Sequence, residues 1–203
     1  MASKSTHAPK MGRPREFSES VALDAAMRVF WEKGYEGTSL DDLTQTMGIN
    51  RSSLYSTFGD KESLFRRVIA RYGEVQLTFV SDALSHGDIH KAIEALLRNT
   101  VRFLSDSTHP RGCLSLQGGL TCGSGAESVK KAMIDWRKRA LAPIEKRLQR
   151  ARGEGYLPAQ VNPKDLARYV LVVMNGLSIQ AANGASQAEM NAAVDIALRS
   201  IPV

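Results

Sequence analysis

With 203 residues, 43% of them apolar and 24% charged, the chain has room for a small module plus a larger packed body, and its composition excludes bulk disorder. No apolar run approaches the ~18 residues of a membrane span, and the opening MASKSTHAPKMGRPREF lacks the apolar core of a signal peptide, so a cytoplasmic location is expected. The formal charge of +6 and pI near 9.5 admit a nucleic-acid partner, but Lys+Arg exceed Asp+Glu by only 11 to 10 over residues 1–80 and by 16 to 11 beyond, so bulk charge does not locate one.

Residues 1–16 are polar and basic and contain Pro9, Gly12 and Pro14, which predicts a flexible arm. From Ser18 or Glu19, Ala22, Leu23, Ala26, Met27 and Phe30 recur at three- and four-residue spacing, a helix that Gly34 ends. A second, short helix starts at Thr38-Ser39, where a hydroxyl cap precedes Asp41 and Asp42, and stops at Gly48. Asn50 caps a third, with Leu54 and Phe58 four apart and Gly59 as terminator. Asp60 opens a fourth through Leu64, Phe65, Val68, Ile69 and Tyr72, expected to reach about residue 84 before Gly87-Asp88. Further helices are predicted near 88–106, 113–122, 125–152, 163–183 and 186–200, separated by Gly- and Pro-bearing turns. The nine cations between Lys130 and Arg152 read as a solvated helix face. Neither strand-like alternation nor a fixed repeat is present, so the class is all-α with about nine helices.

Residues 37–65 carry the functional signal, because two short helices meet at Met47-Gly48-Ile49 and a third N-terminus follows at once. One helix of such a pair fits the DNA major groove while the other crosses the backbone and fixes its approach. Leu40, Leu43, Ile49, Leu54 and Phe58 are placed to close a small core against Leu23, Ala26 and Phe30, leaving the other face of the third helix outward. Arg51 offers a planar fork to guanine O6 and N7, while Lys61 and the helix starts at Thr38 and Asp60 offer charge and N–H groups to phosphates. Arg13 and Arg15, in Gly12-Arg13-Pro14-Arg15, form a basic tip suited to the minor groove or the backbone.

Gly34-Tyr35-Glu36-Gly37-Thr38-Ser39, then Leu43 with Gly48-Ile49, then Leu54-Tyr55 with Phe58, Lys61 and Leu64 resemble the TetR/AcrR family of transcriptional regulators. The resemblance implies an N-terminal three-helix bundle with a helix-turn-helix (17–63) after the arm (1–16). A larger helical domain for effector binding and dimerisation (64–203) follows. It also implies base reading by Arg51, Ser52 and Ser53, and phosphate contact by Tyr55, Lys61 and Thr38. Thr57 stands where the family usually has His or Tyr, which shortens the reach of that contact.

One recognition helix touches too little duplex for tight specific binding, so a homodimer on palindromic double-stranded operator DNA is expected. The last two helices are the expected dimer helices, with Leu166, Val170, Val173, Leu177, Met190, Val194, Ile196 and Leu198 as their apolar stripes. The resemblance implies a cavity for a small-molecule effector among the middle helices. Phe103, Cys113, Leu116, Gln117, Leu120, Met133, Trp136, Arg137, Met174 and Asn175 are its candidate lining.

Cys113 follows Arg111-Gly112 at a helix start, which raises the alternative of a thiol-based redox or electrophile sensor. Nine residues of helix put Cys122 half a turn and ~13 Å away, too far for a disulfide. A second alternative keeps the DNA reading with an effector-independent body. His7, His86, His90 and His109 have no metal or triad spacing and no phosphate loop or paired carboxylates appear, so neither enzyme activity, metal nor cofactor is expected.

Overall fold

The computed structural model describes residues 17–75, 77–117 and 126–202, and ten helical segments run through them without a strand. They are α1 Glu19–Gly37, α2 Leu40–Met47, α3 Arg51–Phe58, α4 Lys61–Val75, α5 Thr78–Leu84, α6 Ile89–Leu104, α7 Leu114–Gln117, α8 Glu127–Gly153, α9 Pro163–Ala182 and α10 Gln187–Ser200. The all-α class is as expected.

Local chemistry sets the ends of the first four. α1 buries Ala22, Leu23, Ala26, Met27, Phe30 and Trp31 along one face, then kinks at Gly34, whose φ of 70° suits a residue without Cβ. α2 starts at Ser39, which forms a reciprocal capping box with Asp42 and accepts the Asp42 N–H at 3.0 Å. Gly48 closes α2 in the left-handed region, and Asn50 caps α3 by accepting the Ser53 N–H at 2.7 Å. Asp60 accepts the Ser63 N–H at 2.7 Å at the start of α4.

The expected single fourth helix is two. α4 ends at Val75 and α5 begins at Thr78. Gly73 falls inside the last turn of α4, short of the break. Packing imposes it: Tyr72 points into the core under α1, whereas Ala83 belongs to a second core, with Phe79, Val80 and Leu84 against it.

Two apolar clusters organise the packing. The first joins α1–α4 to Leu114, Val129 and Met133; Leu43, Leu54 and Phe58 are fully inside, with Leu40 and Ile49 at its edge. The second is built on α6, whose Ala92, Ile93, Leu96, Leu97 and Val101 have no exposed surface, and on one face each of α8, α9 and α10. The 27-residue α8 belongs to both, through Met133 near one end and Ile144 and Leu148 near the other. Arg71 straps α4 to α1 with two bonds to Asp24, of 2.5 and 2.8 Å, and Arg67 reaches Glu19. In the basic run on α8, Arg147 differs from the solvated face expected. It is 5% exposed and donates to the His86 and Gly87 carbonyls, closing the turn before α6.

Candidate functional site

α3 is anchored by Leu54 and Phe58, which are 0% and 3% exposed, so positions one turn apart on its far side must face outward. Arg51, Ser52, Tyr55 and Ser56 are exposed there, and Ser53 is half-buried. Ser56 was not singled out in the sequence, although its place one residue after Tyr55 is signal enough. Tyr55 leaves 51% of its surface to solvent, although an aromatic of this size usually packs. The guanidinium of Arg51 bonds Asp41 of α2 at 2.7 Å, a pair exposed on both sides. Hydrogen bonding to that carboxylate raises the Arg51 pKa, so its charge is secure.

The flanks of this face are fixed by α4. Lys61 lies over the Tyr35 ring, 4.5 Å from its centroid. Arg67 covers the Phe58 ring and donates to the Thr57 carbonyl at 3.1 Å, so the end of α3 cannot swing relative to α4. The Thr57 side chain is half-buried beside it.

Thr38 requires a correction. It is 1% exposed, its hydroxyl donates to the Gly34 carbonyl at 2.6 Å, and its N–H points to the Tyr35 carbonyl. Both groups are occupied in stabilising the kink after α1, and neither is available to a phosphate. The helix start belongs to Ser39, which is exposed. Arg13 and Arg15 lie outside the described residues.

A second feature lies in the body. A cavity of about 470 Å³ is enclosed by the last turn of α4 (Tyr72, Gly73, Glu74), by α5 and α6, by Cys113 and Ser115, and by α8 and α9. Of the expected lining residues, Phe103, Cys113, Trp136, Met174 and Asn175 are there. Leu116 and Gln117 instead line a smaller pocket of about 180 Å³ that shares Cys113 and Ser178 with the large one. Met133 is buried in the core of the helix-turn-helix. Arg137 donates to the Ser115 carbonyl at 2.9 Å and so braces the wall from behind. Leu120 and Cys122 lie outside the described residues.

Tyr72 and Ser115 were not anticipated. Tyr72 continues the apolar stripe of α4, but a buried phenol needs a hydrogen-bond partner, and that was the available signal. Its oxygen lies 3.2 Å from Cys113 Sγ, which is 3.0 Å from Ser115 Oγ. Burial pushes the Tyr72 phenol well above its ordinary pKa, with Cys113 adding to the effect, so it stays protonated.

The exposed apolar residues of α9 and α10 are Tyr169, Val172, Ile179 and Ile196, at 40%, 60%, 50% and 62%. Of the stripe residues read from the sequence, only Ile196 is among them. Leu166, Val170, Leu177, Met190 and Val194 are buried within the subunit, and Val173 and Leu198 pack against its core.

Comparison with known proteins decides the family. Residues 22–68 match the model for bacterial regulatory proteins of the tetR family, and residues 90–197 match the tetracyclin repressor-like C-terminal domain. The chain belongs to the TetR family. It is therefore a transcriptional regulator whose helix-turn-helix is α2 and α3. Over 211 residues, covering 100% of this chain and 98% of the relative, it is 28% identical to the HTH-type transcriptional repressor ComR of Escherichia coli (strain K12). The HTH-type transcriptional repressor BdcR of the same strain is 33% identical over 53% of this chain and 55% of its own length. Among solved structures, the TetR family regulator CifR, a cysteine mutant complexed with 26-bp double-strand operator DNA, superposes with a TM-score of 0.90 at 37% identity. That match covers 94% of this chain and 100% of CifR. NemR of E. coli in its reduced form, at 19% identity and a TM-score of 0.73, shares the TetR fold. No helix among the described residues is long and apolar enough to cross a membrane.

Proposed function

We propose that this TetR-family protein is a repressor that grips palindromic operator DNA as a homodimer and releases it when a small effector fills the body cavity. The observation that carries the reading is the outward face of α3. Arg51, Ser52, Tyr55 and Ser56 are presented by a helix whose opposite side is locked by Leu54 and Phe58. Arg51 reads a base edge, with Ser52 and Ser53 beside it, and Tyr55, Thr57 and Lys61 contact phosphates.

The cavity supports the release step by its position. Tyr72, Gly73 and Glu74 are both its wall and the last turn of α4, the helix that Arg67 and Arg71 bind to α1. A ligand that displaces this turn alters how two recognition helices are spaced, and by linkage it must bind the DNA-competent form more weakly. The exposed stripe of Tyr169, Val172 and Ile179 on α9, joined by Ile196 on α10, supports a second copy as partner.

The test is operator selection from random duplexes, followed by titration of variants. Arg51→Ala is expected to weaken the selected site about tenfold to a hundredfold and to relax one base position. Lys61→Ala should weaken all duplexes alike and flatten the salt dependence. Equal losses for both variants on selected and random DNA overturn the assignment.

A thiol-based reading keeps one observation in its favour, since Cys113 faces the cavity between Tyr72 and Ser115. Release that persists unchanged in Cys113→Ser argues against it.

A further inference from the structure

We infer that the cavity takes an uncharged, largely apolar molecule carrying an oxygen that accepts a hydrogen bond from the Tyr72–Cys113–Ser115 cluster. This rests on the effector reading above and narrows it to a ligand class.

Size sets the first limit. About 470 Å³ falls within the range of roughly 300–1,000 Å³ typical of pockets for drug-sized ligands. The walls contributed by Leu77, Phe79, Phe103, Leu104, Trp136 and Met174 are apolar or aromatic.

Charge sets the second. The charged side chains of the lining, Glu74 and Arg139, are both exposed and of opposite sign. The polar groups farther in belong to Tyr72, Thr100, Ser115, Asn175 and Ser178, none of which offers a countercharge. A carboxylate or ammonium seated there loses its hydration without gaining an ion partner, and is rejected.

Proton accounting sets the third. The Thr100 and Ser178 hydroxyls donate to the Leu96 and Met174 carbonyls at 2.8 and 2.9 Å, so their protons are already used. Phenol, thiol and hydroxyl in the cluster hold three protons between them, and their contacts of 3.2 and 3.0 Å use two. One donor remains for a carbonyl, ether or alcohol oxygen on the ligand.

The experiment uses four bicyclic probes of similar size on the full chain: 2-acetylnaphthalene, 2-ethylnaphthalene, 2-naphthoate and 2-naphthylmethylamine. Affinity is measured by calorimetry and operator binding by anisotropy. The ketone is expected to bind more than about tenfold tighter than the carboxylate and the amine. Ala140→Trp, at a half-buried lining position, should abolish binding. Tyr72→Phe combined with Ser115→Ala, which leaves the cluster only the weak thiol donor, should weaken the ketone by roughly three- to tenfold and leave 2-ethylnaphthalene unchanged. Carboxylate or amine binding as tightly as the ketone, lost in Ala140→Trp, overturns the ligand class; if it also weakens operator binding, effector release stands. Failure of all four probes to bind, or indifference of the ketone to the double variant, also overturns the class. Ketone binding as expected without change in operator affinity upholds the class and overturns the release step.

Discussion

The Arg51 guanidinium on the recognition helix is held by Asp41 of the preceding helix, with Nη2 and Oδ1 2.7 Å apart. In the proposed complex a carboxylate there acts on DNA binding in two ways: it occupies the fork assigned to a base, and it places negative charge on the face turned to the duplex. The pair is solvent-exposed and contributes little to folding. Asp41→Asn is therefore expected to tighten binding to the selected operator by about three- to tenfold, with stability unchanged and a steeper salt dependence. Anisotropy titrations at two salt concentrations measure both. Weaker binding by the variant would assign Asp41 to orienting Arg51.

The turn between α2 and α3 depends on one backbone conformation. Gly48 has φ 65° and ψ 30°, and a Cβ built there meets nothing within 4 Å, so a side chain is opposed by backbone strain alone. Gly48→Ala should cost about 1–2 kcal/mol in urea unfolding, and Gly48→Asn clearly less, because Asn tolerates the left-handed region. Equal stability of Ala and Asn variants would contradict this.

Legibility in the sequence followed the same physics. Gly34, Gly48, Gly59 and Asn50 are punctuation that any chain must place where helices end, so the helix-turn-helix and its outward face were readable. The choice between Thr38 and Ser39 as helix cap was not. Adjacent hydroxyls look alike until packing turns one of them inward. The α4–α5 break was not readable either, because Gly73 lies inside the last turn of α4 and Tyr72 and Phe79, on either side of the break, meet at Phe103 only in the packed chain. The same applies to the cavity. Phe103, Trp136 and Met174 face it, but Met133, three residues before Trp136 on α8 and packed in the same cluster, is fully buried, a distinction set by which neighbours cover α8 at each level.

Acid should loosen the chain through its helix caps. Lys33, with the Ser39 N–H and hydroxyl, holds the Asp42 carboxyl below its ordinary 3.8. The Ser63 and Lys91 N–H groups lower Asp60 and Asp88, and Ser128 and Arg66 lower Glu62 from 4.5. The folded chain thus binds fewer protons than the unfolded one in the acid range. This stability is fully present above the ordinary carboxyl values and is lost as pH falls through the lower folded ones. Unfolding free energy should be flat near neutrality and decline below about pH 5. Asp42→Asn should reduce the slope, and an unchanged slope would exclude Asp42 as a contributor.

His109 links the two cores. Its ring stacks on Trp31 at 4.7 Å between centroids and lies 4.4 Å from Phe103, and its Nδ1 donates to the Pro110 carbonyl at 3.0 Å. Beside it, Arg28 of α1 donates to the Thr108 carbonyl at 2.6 Å. Removing the imidazole takes one ring from a three-ring cluster in which Trp31 and Phe103 also stack on each other, at 5.9 Å between centroids. His109→Ala should destabilise the chain by about 2–4 kcal/mol in urea, whereas His109→Phe retains most of the stacking. A loss under about 0.5 kcal/mol would show that the rings close up without it.

The exposed residues of α9 are the most direct handle on assembly. Tyr169, Val172 and Ile179 recur at helical spacing, an apolar stripe suited to the proposed contact with a second copy. Val172→Asp and Ile179→Asp place a carboxylate where a two-fold contact would desolvate it twice, once from each copy. Both residues are half or more exposed, at 60% and 50%, so the single chain should keep its helical content and unfolding midpoint. Sedimentation equilibrium should report a dimer for the unaltered protein and a monomer for either variant. Operator affinity should fall by about a hundredfold or more, because each half-site is then bound alone. Dimers that persist in both variants would move the contact to another face.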